Sequence, residues 1–387
     1  MGLILVSLPT LTLLALTGCD PKVGDDTATG DSNVTGDTST DSGDTGGDTA
    51  APLHFTLVGT TTDFTTGALA TITDGVLTDS VIPVSSDADV RAINGSVYVM
   101  NRSTENTVQR FDNLDFSAPA VEFSTGDGSD PVDVVECGGS VVVANLLTGS
   151  LLVVDRATGL QTGSVDLSSF ADSDGSPEAD ALFVAPNGYL YVAMQQLENY
   201  VSADGSGTLA KIDCSTWNVA ASWDIGPNPR MQPDPQNPAG MLIDGGNSFN
   251  ADYSGPELDG AISTFDTTDD TLAGPFLTEA ALGGNLGAIT GMADGHLVTT
   301  LDDTGKWAIL CINAADWTTT TLSLKNAYIG ALVTDPTGTV WAAVGDGYGA
   351  GAYPTVGFTP IDPVNCTAGT PVTPALGPSG MAVVVQP

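Results

Sequence analysis

The residues that could do chemistry are unevenly supplied: two histidines, His54 and His296, five cysteines, and 47 aspartates and glutamates against nine lysines and arginines. No CxxC, no thiol–histidine pair and no zinc spacing occurs, so zinc or copper chemistry and a Ser-His-Asp triad are not expected. His296 falls in a hairpin pattern and reads as a strand residue rather than a base. What remains is oxygen chemistry. In Asp172-Ser-Asp174-Gly-Ser-Pro-Glu178 the carboxylates alternate along the chain, a spacing that could offer oxygens to calcium, although the full EF-hand pattern is missing. A solvated acidic loop accounts for the same residues.

The formal net charge is −38. The cations (Lys22, Arg91, Arg102, Arg110, Arg156, Lys211, Arg230, Lys306 and Lys325) are scattered singly, so they build no phosphate-tracking stripe and nucleic acid is excluded as a partner. Asp-rich turns on a solvated, aggregation-resistant surface explain most of the acidity.

At the N-terminus, Leu3 to Leu16 is an apolar run too short to span a bilayer comfortably, and it ends in Leu16-Thr17-Gly18-Cys19. These four residues resemble the lipobox of bacterial lipoproteins. The resemblance implies a signal peptide over 1–18, a diacylglycerol thioether on Cys19, and a mature chain beginning there. Residues 20–52 are almost wholly Asp, Thr, Gly and Ser, with nothing to bury, and predict a disordered tether. As a flexible coil it would span roughly 30 Å, more where its aspartates repel. An address follows: the bacterial cell envelope, membrane-anchored, on the periplasmic or cell-surface side.

From residue 53 to 387 the pattern changes to short runs of Val, Ile, Leu, Thr and Tyr between Gly-containing turns, which predicts an all-β domain. One helical turn fits within Leu272–Leu286. A turn-and-strand phrase recurs at Asn94-Gly95, Gly138-Gly139, Asn187-Gly188, Asp294-Gly295 and Thr337-Gly338, each followed by an apolar run. A second phrase follows it: Val108–Asp112, Leu151–Asp155, Leu209–Asp213, Ala261–Asp266 and Ala308–Asn313. A repeat of that spacing, with two such phrases, is a four-stranded propeller blade.

Within this array, VVVANLLTGSLLVVDRATGLQTGSVDL and PNGYLYVAM resemble the YVTN family of bacterial β-propellers, a likeness that covers most of residues 85–385. Its register starts inner strands near Asp87, Pro131, Pro177, Pro238, Asn285, Tyr328 and Pro378, which makes seven blades, with Gly377–Val385 completing the N-terminal blade; six or eight are the alternatives. The same register sets Asp89, Asp133, Glu178, Asp180 and Asn285, with Tyr328 and Ser379, around the central funnel, where convergent oxygens could hold calcium. Extra residues at 169–176, 197–207, 226–238, 248–260 and 345–354 fall on one face and carry Tyr200, Arg230, Tyr253 and Tyr348, which together with Tyr328 suit recognition of a ligand. Cys137, Cys214, Cys311 and Cys366 allow three pairings. Propeller geometry favours Cys137 with Cys214 and Cys311 with Cys366, free buried thiols being the other outcome.

Two functions are then expected of a monomeric, membrane-tethered propeller. One is a binding module for a protein, peptide or glycan. The other is a calcium-dependent, lactonase-like hydrolase or lyase working in the funnel.

Overall fold

The computed structural model describes residues 54–386 apart from 199–201, 204–205, 247, 251–254, 303–306, 324–326 and 347–355. Cys19, the signal segment and the tether lie outside the described residues, as do Tyr200, Tyr253 and Tyr348.

Seven four-stranded antiparallel sheets stand in a ring as a β-propeller. Blade 1 comprises Phe55–Thr62, Gly67–Thr73 and Val76–Val84, with the C-terminal strand Gly377–Val385 as its innermost member. Blade 2 runs from Ala88–Ile93 outward to Val121–Ser124, blade 3 from Pro131–Cys137 to Gln161–Asp166, and blade 4 from Ala179–Val184 to Val219–Gly226. Blade 5 runs from Pro229–Asp234 to Thr271–Thr278, blade 6 from Asn285–Gly291 to Thr318–Ser323, and blade 7 from Ala327–Thr334 to Thr367–Ala368. The seven-blade expectation and the closure by the C-terminal strand both hold. Pairing of the closing strand extends from Phe55 opposite Val385 to Thr62 opposite Gly377, which removes the free edge a Val-rich strand would otherwise expose.

One boundary differs from the register read in the sequence. The inner strand of blade 5 begins at Pro229, and Pro238 belongs to the second strand, Asn237–Gly245. Residues 226–238 are therefore not a loop insertion but mostly an inner strand and its turn. Four prolines in Pro229-Arg-Met-Gln-Pro-Asp-Pro-Gln-Asn-Pro238 mask the strand pattern. Proline is tolerated there because an inner strand pairs on one side only and faces the channel with the other.

The turns explain the recurring glycine phrases. Asn94 and Gly95 both take positive φ, 50° and 79°, the two-residue hairpin geometry that asparagine and glycine adopt most readily. The inner strands of each blade bury both faces, because each blade is sandwiched between two others, while the outermost strands stay largely exposed. In Ser140–Asn145, Val142 and Ala144 pack toward blade 4 while Val141 and Val143 pack toward blade 2, so the run reads as continuous rather than alternating. Seven hydrophobic clusters result, one at each junction of neighbouring blades. Each fully buried Val, Leu or Ile contributes about 1.5–3 kcal/mol, so every junction is a core in its own right.

Two disulfides cross blade junctions. Cys137 at the end of the inner strand of blade 3 joins Cys214 beyond the third strand of blade 4, and Cys311 of blade 6 joins Cys366 of blade 7, with Cα atoms 5.7 Å apart in both. A single helical turn, Glu279–Leu282, precedes blade 6; Thr278 caps it by accepting the Ala281 amide, and Gly283 ends it in the left-handed region.

Candidate binding site at the channel mouth

The inner strands all begin at the face that carries the loops between second and third strands, so their first residues surround one mouth of the channel. The residues expected there do not act together. Asp133 is fully buried and forms an ion pair with Arg91 of blade 2. It also accepts the amides of Val134 (2.8 Å) and Leu182 (2.6 Å), while Arg91 Nη2 donates to the Leu182 carbonyl at 3.0 Å. Burial raises the Asp133 carboxyl above its usual range against the opposing pull of Arg91. These contacts knit the inner strands of blades 2, 3 and 4, so Asp133 is a structural tie rather than a free metal ligand. Asp89 holds the Val90 amide at 2.7 Å.

Asp180 is set by a different device. The pairing of its strand skips from Ala179 opposite Met194 to Ala181 opposite Ala193, leaving Asp180 on a bulge, a feature that re-aims a side chain. Burial pushes its carboxyl up to about 6, with Arg230 opposing the shift and Asp133 adding to it.

Among the described residues, the one gathering of three or more acidic, histidine or cysteine ligands is Asp172, Asp174 and Glu178, each offering an oxygen within 4.8 Å of the others. Asp89, Asp133, Asp180 and Asn285 are not part of it. Glu178 is the one member of the expected ring that joins the cluster. It is fully buried, accepts the Leu197 amide at 3.1 Å, and is pushed up to about 8 by burial, with Asp172 and Asp174 adding to the rise.

The polar cluster that does gather lies where blades 4, 5 and 6 meet. Arg230, the second residue of the inner strand of blade 5, pairs across the sheet with Asp244, and both face blade 6. Of the six lysines and arginines among the described residues, Arg91, Arg102, Arg110, Arg156 and Lys211 each make an ion pair; Arg230 makes none. Its Nε and Nη1 are buried without a hydrogen-bond partner among the described residues, in a chain with a large excess of carboxylates.

Opposite it, both oxygens of Asp244 are buried and unbonded, as are Asn228 Oδ1, Ser248 Oγ and Asn285 Oδ1. Asp244 is 2% exposed, and burial raises its carboxyl well above its usual range, Arg230 opposing and Glu279 reinforcing. Asn285 donates Nδ2 to the Ser248 carbonyl at 2.9 Å, which fixes the amide and leaves its Oδ1 unbonded. Glu279 floors the site by accepting the amides of Gly260 (2.8 Å) and Leu286 (2.6 Å). Gly246 must be glycine at this point: it has φ 140°, and a Cβ would sit 2.0 Å from Glu279 Oε1.

Of the expected ligand-binding tyrosines, only Tyr328 is described. It is 7% exposed and packs edge-on against Trp307 at 5.6 Å, so it belongs to the packing of the mouth rather than to its surface. Sequence reading found Arg230 and Asn285 but missed Asp244, Ser248 and Asn228. The one signal was an acid in an otherwise apolar run, Gly240-Met-Leu-Ile-Asp244.

No protein-family model matches the chain, and no curated protein matches it. Solved structures do. A Lactobacillus plantarum protein aligns with a TM-score of 0.58 at 13% identity over 87% of this chain and 100% of its own. Apo AztD from Citrobacter koseri gives 0.52 at 10% identity over 86% and 98%, and the dihydro-heme d1 dehydrogenase NirN gives 0.51 at 14% over 86% and 75%. At such identities the likeness is to the propeller fold alone.

Proposed function

We propose that this chain is a lipid-anchored binding module of the bacterial envelope, which receives a peptide or glycan at the channel mouth between blades 4, 5 and 6. The observation that carries this reading is the pair of buried, unbonded nitrogens, Nε and Nη1, of the half-buried Arg230, on a strand paired with that of Asp244, whose own oxygens are unbonded like those of Ser248 and Asn285. Leaving such groups unpaired costs free energy, about 1–3 kcal/mol each and more when charged. A ligand with an acceptor for the arginine and hydroxyl or amide donors for the oxygens repays that cost. Peptides and glycans both carry donors and acceptors at this spacing. A rigid propeller with its longer loops around the mouth supplies the preorganised frame such a site needs.

The anchor rests on Cys19 in Leu16-Thr17-Gly18-Cys19 and the tether on residues 20–52. Radiolabelled palmitate should enter the wild-type chain and not Cys19→Ala, which should leave the membrane fraction. For the mouth, the chain is screened against arrays of peptides and of neutral and acidic oligosaccharides. Arg230→Gln and Arg230→Lys should each weaken capture of any hit at least tenfold, the lysine because it lacks the planar fork. Undiminished capture by both variants would remove Arg230 from the site and with it this reading.

A further inference from the structure

A second site stands apart from the mouth cluster, on the loop that leads from blade 3 into blade 4. We propose that Asp172, Asp174 and Glu178 hold a calcium ion there. The loop folds back on itself: the Asp174 amide donates to Asp172 Oδ1 and the Ser176 amide to Asp174 Oδ1, both at 3.0 Å. This brings the two aspartates over Glu178, and the three carboxylates offer oxygens within 4.8 Å of one another. A small closing movement of these side chains brings all three oxygens to about 2.3–2.6 Å from one point, the calcium–oxygen distance, whereas the about 2.0–2.1 Å that magnesium demands needs a much tighter gathering. No nitrogen or sulfur enters the set, which suits a hard cation.

Glu178 supplies the independent sign of a ligand. Its side chain is fully buried, one carboxylate oxygen takes the Leu197 amide, and the other, Oε1, has no hydrogen-bond partner among the described residues. A solvated acidic loop has no need to bury one of its carboxylates in this way. The backbone at Glu178 also adopts φ 43°, a left-handed conformation that a non-glycine residue holds only when its surroundings impose it. Through Leu197 the ion would tie this loop to the one between the second and third strands of blade 4, two residues before Asp180.

The test is isothermal titration of the full chain, stripped with EDTA and desalted, with calcium chloride and separately with magnesium chloride at matched ionic strength. The expected result is a saturable calcium isotherm with a dissociation constant of about 1 mM or tighter, in the range of extracellular calcium modules, and magnesium at least tenfold weaker. Glu178→Gln should weaken calcium at least tenfold. Because Glu178 is buried, Asp174→Asn, at an exposed position, provides a second variant that leaves packing intact and should lose affinity likewise. Arg230→Gln should leave calcium binding unchanged, so this site and the mouth fail or stand separately. An unsaturable heat, equal magnesium affinity, or wild-type affinity in Asp174→Asn would overturn the proposal and assign any calcium heat to the aspartates elsewhere on the chain.

Discussion

Asp133 accepts the amide of Leu182 at 2.6 Å across a blade junction, so a carboxylate of one sheet terminates a backbone donor of the next. With Arg91 reaching in from the opposite side, three inner strands are fastened at one buried point. Removing one partner leaves the other charge buried and uncompensated, which costs about 3–5 kcal/mol. Arg91→Leu and Asp133→Leu should each lower the unfolding free energy measured by urea titration by that amount, and the double variant should lose less than the sum of the two. Additive losses would show the pair to be uncoupled.

The closing strand should be indispensable. Deleting 377–387 would strip blade 1 of its inner strand, expose the edge of Phe55–Thr62 and remove Met381, Ala382, Val383 and Val384 from the cores against blades 7 and 2. The truncated chain should be recovered as aggregates, judged by size-exclusion chromatography, and co-expression of the missing segment should restore some soluble ring.

Each disulfide should stabilise by roughly 2–4 kcal/mol, chiefly by restricting the unfolded chain, with the longer separation, 77 residues for Cys137–Cys214 against 55, giving slightly more. Paired Cys→Ala variants, compared with the wild type by denaturant titration under oxidising and reducing conditions, measure this. The difference should vanish once the wild type is reduced.

A pH dependence follows from Asp180. Its folded-state value, about 6, lies above the ordinary 3.8, so the folded chain holds a proton that the unfolded chain releases. Stability from this group should therefore fall as pH rises from about 4 to about 6 and level off above. Arg230, Asp133, Arg102 and Asp130 are the charges that act on it. Asp180→Asn should flatten this segment of the stability profile and stabilise the chain at pH 7. Because Arg230 holds the Asp180 value down, Arg230→Gln should carry the decline above pH 6.

Blade number, ring closure and most strands were legible because the turns demand Gly or Asn at positive φ and the doubly buried strands demand unbroken apolar runs. The inner strand of blade 5 was not, since Pro229 and Pro233 sit where only an edge beside the channel tolerates them. The pairing of Arg91 with Asp133 was hidden for another reason. It depends on the height at which one blade stands against the next, which no local pattern encodes. For the same reason the acids expected to ring the funnel could be named individually, but their separation into a tie, a bulge and a loop cluster could not.

The two sulfur bridges clamp blade 3 to blade 4 and blade 6 to blade 7, while blade 5 contains no cysteine and sits between the clamped pairs. Blade 5, like blades 1 and 2, has no such rivet to its neighbours. A guest seated on Arg230 would touch Asp180 on one clamped pair and Asn285 on the other, and so act as the buckle. The junctions on either side of blade 5 should open more readily than those inside the clamped pairs, and a loaded ring should hold them shut more firmly than an empty one.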